Sequence, residues 1–93
     1  MSLRETYEKK MQAQLNELKT EIDELREKAI QMETNLQLEY YTRIDELHLN
    51  LEIANQHFQL LKQSSDEKWD EIKTEFEIIW DSMRELIRSV TSP

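Results

Sequence analysis

Residues 11–36 read MQAQLNELKTEIDELREKAIQMETNL, and within them Met11, Leu15, Leu18, Ile22, Leu25, Ala29, Met32 and Leu36 follow one another by alternating steps of four and three. An apolar side chain at every third or fourth position lines one face of an α-helix, and strict four–three alternation is the heptad pattern of a left-handed coiled coil. Outward from this stretch the walk begins at Leu3 and Tyr7 and continues through Tyr40, Ile44, Leu47, Leu51, Ala54, Phe58 and Leu61. After Ser65 it resumes at Trp69, Ile72, Phe76, Ile79, Met83, Leu86 and Val90. Counting Ser65, Leu3 to Val90 is 24 steps over 87 residues, a mean of about 3.6, the repeat of a straight α-helix. Paired four-residue steps at Leu36–Tyr40–Ile44 and Leu61–Ser65–Trp69 are stutters that locally relax the supercoil. The chain has no glycine, and its one proline is Pro93. The expected fold is all-α, a single domain over 1–93 whose long helices form a coiled coil or helical hairpin and oligomerise.

One place reads as a break. In Gln63-Ser64-Ser65-Asp66-Glu67, Glu67 follows Ser64 by three, the spacing of a capping box in which serine and glutamate satisfy each other's free backbone amides. Acidic Asp66, Glu67, Asp70 and Glu71 then crowd the start of a helix and Arg84 and Arg88 its end, the polarity the helix dipole favours. Glu33-Thr34-Asn35 has no glycine, proline or capping box, and the stripe crosses it in phase, so it reads as helix interior. The expectation is a first helix from about 3 to 63 and a second from about 66 to 91, folded into a hairpin at Ser64–Ser65. One continuous helix and a three-helix bundle turning near Asn35 are the alternatives.

In that hairpin residues 3–36 have no cover from their own chain, so Leu15, Leu18, Ile22 and Leu25 are expected to form an interface with another copy. A second set, Leu38, Leu49, Ile53 and Leu60, points away from the main stripe, which implies a neighbour on that side too. Trp69 and Trp80 stand eleven residues apart and project in nearly the same direction, as core and interface residues of the last helix.

Ninety-three residues in long, narrow helices leave little room for an enclosed catalytic cavity. With 20 Asp and Glu against 12 Lys and Arg the net charge is −8, which opposes nucleic acid and anionic membranes as partners. Cysteine is absent, so disulfide and thiol chemistry are excluded and a reducing compartment is the default. The longest apolar run, Ile78-Ile79-Trp80, is far too short for a spanning helix or signal core, and a soluble cytoplasmic chain is expected.

Candidate chemistry is thin. His48 and His57 are the only histidines, and Asp45 with His48 forms one Asp-x-x-His spacing where a helical di-iron site needs two such motifs and further glutamates. Thr20, Thr34, Thr42, Ser64, Ser65 and Ser82 have no histidine at a helical offset to activate them. No enzyme, cofactor or metal site is expected. Pairs such as Glu5–Lys9, Glu24–Lys28 and Glu39–Arg43 read as surface support. The segment from Trp69 to Val90 is amphipathic enough for a lipid surface, although residues 66–81 hold seven acidic and two basic groups.

Tyr7, Lys10-Met11, Ala13-Gln14-Leu15, Ile22-Asp23 and Leu25, then Leu61-Lys62, and Trp69 and Trp80 flanking Lys73, resemble a family of small all-helical bacterial coiled-coil-domain proteins, some linked to stress response. The chain departs from that pattern at Glu75, where a glycine is common, and at Ile78 and Ile79, where small residues are. The resemblance implies a bacterial setting and an all-helical fold, and no catalytic residues. The functional expectation is a non-enzymatic, self-associating helical protein with a structural or interaction role, whose partners are itself and another helical protein. The alternative is an amphipathic-helix protein acting at a lipid or membrane surface.

Overall fold

The computed structural model describes residues 2–91 and consists of three helices, α1 (Leu3–Ile30), α2 (Thr34–Gln63) and α3 (Asp66–Thr91). They pack up-down-up into a bundle of 51 × 20 × 20 Å. α2 lies against both neighbours, whereas α1 and α3 meet through side chains and not by close approach of their backbones. All three helices are 26 to 30 residues long, so each can cover the others along its whole length.

The hairpin at Ser64–Ser65 and the limits of the last helix stand as expected. The first helix does not: the span expected over 3–63 is two helices, turning at Gln31-Met32-Glu33. The turn needs no glycine because it uses no positive φ. Gln31 stays helical at φ −90, ψ −1, and Glu33 turns extended at φ −61, ψ 144 to start α2. The Met32 amide bonds back to Ala29, closing the last turn of α1, while the Glu33 carbonyl accepts from Leu36 and Gln37.

Magnitudes explain why the turn wins over a straight helix. Breaking the helix costs a few backbone hydrogen bonds, each worth about 1 kcal/mol net. Folding α2 back covers Met11, Leu15, Leu18, Ile22, Leu25 and Ala29, all buried here, and each large aliphatic returns about 1.5–3 kcal/mol on burial. The same turn gives the stripe from Met11 to Ala29 cover within its own chain, so that stretch does not require a second one. Met32 and Leu36, which carried the stripe across the break, sit at the end of the bundle, with Leu36 half exposed.

The core continues through Ile44, Leu47, Leu51, Ala54, Phe58 and Leu61 of α2 and Phe76, Trp80, Met83 and Val90 of α3. Phe76 joins the two helices, lying 5.6 Å from Phe58 and 6.2 Å from Trp80 between ring centres. The capping box expected at Ser64 does not form. Its hydroxyl donates to Leu61 O at 2.7 Å, closing the end of α2, and Ser65 precedes α3 with its carbonyl accepting from Lys68.

Candidate interaction surface

Each helix turns one broad face to the core, and α2 alone keeps a second apolar stripe outside it. At 100° per residue, Leu38, Leu49, Leu60 and Ile53 fall within an arc of about 60°. They are exposed by 76%, 59%, 54% and 36% respectively. These are four of the ten residues expected at an interface, and in this chain they face outward with nothing over them. From Leu38 to Leu60 the stripe runs 22 steps, about 33 Å of helix.

The other six lie elsewhere. Leu15, Leu18, Ile22 and Leu25 are buried in the intrachain core, which corrects the expectation that they lack cover. Trp80 is buried against Phe76, and Trp69 is half-buried where α1 and α3 begin.

That second junction went unread in the sequence. Trp69 donates from Nε1 to Glu8 Oε2 at 3.1 Å, and its ring meets Tyr7 edge-on at 5.5 Å. Lys73 Nζ sits over both rings, at 4.7 Å from Tyr7 and 5.5 Å from Trp69. Arg4 binds Glu8 and Asp66 and also donates to the carbonyls of Leu61, Lys62 and Ser64, so one guanidinium gathers the end of α2 and the starts of α1 and α3. Partial burial pulls its pKa down, but hydrogen bonds and charge from Glu8 and Asp66 outweigh that and hold it above its ordinary value. Arg4 and Glu8 are an ordinary (i, i+4) pair on α1, and their other partners, Asp66, Trp69 and the end of α2, lie about 60 residues away, beyond any local pattern. The cluster is closed on itself and reads as a fastening of the bundle.

Several clefts run between the helices, two of which bear on the question of a reactive site. Between α1 and α3 a groove of about 330 Å³ has Leu18 and Trp80 at its floor, Glu17 and Glu21 on one wall and Arg84 and Arg88 on the other. A wider, shallow cleft of about 650 Å³ runs beside Leu38, between α2 and Leu86 and Ser89 of α3. The hydroxyls on their linings, Thr91 in the first and Thr42 and Ser89 in the second, donate to carbonyls of their own helices. His48 lies 3.8 Å from Glu52, and His57 Nδ1 is 3.3 Å from Ile53 O, each within its own helix. Among the described residues no three His, Asp or Glu side chains converge as metal ligands, and no helix is long and apolar enough to cross a membrane. Comparison with family models, curated proteins and solved structures finds no match for this chain.

Proposed function

We propose that this protein is a non-enzymatic helical interaction module whose working surface is the outer face of α2. The observation that carries the reading is the stripe of Leu38, Leu49, Ile53 and Leu60, left in solvent by a bundle that buries its other long stripe. A contiguous apolar strip on a small soluble domain costs solubility and is a common mark of a docking surface. Self-association belongs to this proposal only through the same face, since the seam of α1 is already filled. The resemblance to stress-linked helical bacterial proteins supplies a setting for the proposal and no residue of a mechanism. A lipid-surface role has less support, because the apolar face of α3 that would enter the lipid packs in the core through Phe76, Trp80, Met83 and Val90.

The test is a photo-crosslinking residue placed at Leu49, compared with one at exposed Thr74 on α3, in the cells that make the protein. Discrete adducts from position 49 and none from 74 are expected. Equal patterns from both positions would remove the reading.

A further inference from the structure

We infer that the occupant of the α2 face is an amphipathic helix with a basic flank, and not a second copy of this chain. The inference rests on the reading of that face as a docking surface and adds the chemistry of its partner. It comes from where α2 keeps its charges. The helix holds four acidic residues, Glu39, Asp45, Glu46 and Glu52, and two of fixed positive charge, Arg43 and Lys62. Measured from the centre of the stripe at 100° per residue, Glu46 and Glu39 lie about 50° and 70° to one side. Asp45 and Glu52 lie about 50° and 70° to the other. Arg43 and Lys62 stand about 110° and 150° away, so the face and its two edges carry acids, and Arg43 reaches this side only through its surface pair with Glu39.

The carboxylates are open to a partner. Glu39, Asp45 and Glu52 are about two-thirds exposed at the side chain, and their contacts are surface pairs, with Arg43 at 3.0 Å, Arg26 at 3.4 Å and His48 at 3.8 Å. Exposed pairs of this kind are worth little and exchange readily for others. All four acids lie within residues 39–52, and from 53 to 63 the helix has none. A docked helix therefore meets leucine and isoleucine along its whole length and negative charge over one half, which fixes its direction. The cleft beside Leu38 leaves space for a large side chain at the acidic end.

A second copy fits this face poorly. Antiparallel two-fold pairing through Leu38, Leu49 and Leu60 centres on Leu49, so opposed positions have numbers adding to about 98. Asp45 of one copy then lies beside Glu52 of the other on the same flank, twice over, and each chain already carries −8. Like charges set against each other across an interface select against that pairing.

The test uses the full chain and a fluorescent synthetic helix of about 22 residues, with leucines at three- and four-residue spacing and lysines flanking them. Two control peptides have glutamates in place of the lysines, or the same composition scrambled. The lysine-flanked helix is expected to bind saturably, at least tenfold tighter than either control, and to weaken as salt rises. Leu49→Asp with Ile53→Asp should abolish binding, whereas simple charge adsorption would be strengthened by two added acids and would overturn the inference. Glu46→Gln with Glu52→Gln, at exposed positions the fold does not need, should weaken binding several-fold and flatten its salt dependence. No saturable binding, or equal binding of the acidic peptide, overturns the inference as well. If sedimentation shows a dimer that Leu49→Asp dissociates, the occupant is a second copy: the inference fails while the proposed function of the face stands. If position 49 also gives no specific crosslinks, both fail.

Discussion

The side-chain amide of Gln37 donates to the carbonyl oxygen of Ala29 at 3.0 Å, and with the same nitrogen to Ile30 at 3.0 Å, so a residue in the first turns of α2 closes the open end of α1. Helix ends leave carbonyls without intrahelical partners, and a turn with no glycine has no left-handed residue to satisfy them. Gln37→Ala should therefore lower unfolding stability by about 1 kcal/mol. Gln37→Glu should lower it further, because it removes the donors and sets a negative charge against the negative end of the α1 dipole. Urea unfolding of the three proteins at pH 7 checks the order.

The same contact shows why this turn was hidden in the sequence while the next one was not. At Ser64–Ser65 the break is written locally, in small polar residues followed by an acidic first turn and a fresh amphipathic face from Trp69. At Gln31–Glu33 the chain turns through residues that would also suit a helix, and its stabilising partner, Gln37, lies beyond the break. Met32, Leu36 and Tyr40 kept the apolar rhythm across it, yet none of them is buried in the core. Periodicity identifies which residues want cover, and it found every large core residue. It does not say whether cover comes from the same chain or another. The stripe on α2 was legible as a second apolar face for the same reason, but its open state depends on how α1 and α3 fold around the other side.

Tyr7 gives a pH signature. Burial, then the hydrogen bond and charge of Glu77, with Asp81 nearby, raise its phenol pKa far above the ordinary value. A group whose folded pKa is raised contributes stability that is fully present below its unfolded pKa, near 10, and is lost as pH rises from there toward the folded value. Stability should hold from pH 7 to about 9 and fall above about 10, less steeply in Tyr7→Phe than in the natural chain. Absorbance titration of the phenols should show the last-ionising of the three tyrosines missing from that variant.

Arg4 joins three helix ends through contacts that a lysine cannot reproduce, since a planar fork reaches Asp66, Glu8 and the carbonyls at the end of α2 together. In Arg4→Ala, hydrogen exchange should quicken for amides around residues 61–68 while the centre of the bundle keeps its protection. Arg4→Lys should recover only part of the difference. Uniform quickening along all three helices would show that Arg4 acts on global stability and not as a local fastening.

Two double substitutions separate the filled seam from the open one. Leu18 and Leu25 are 6% and 4% exposed within the chain's own core, so Leu18→Asp with Leu25→Asp forces two carboxylates into an apolar interior at a cost of several kcal/mol. Against a total stability of about 5–15 kcal/mol, that pair should abolish the helical circular dichroism at any protein concentration. Leu49→Asp with Ile53→Asp changes exposed positions and should alter the stability of the isolated chain by less than about 1 kcal/mol. Melts at two concentrations tenfold apart read both effects. A Leu18, Leu25 variant that stayed helical but dissociated from a larger species would place an interface between chains on α1. A Leu49, Ile53 variant that unfolded would show that the outer stripe of α2 is needed within the bundle.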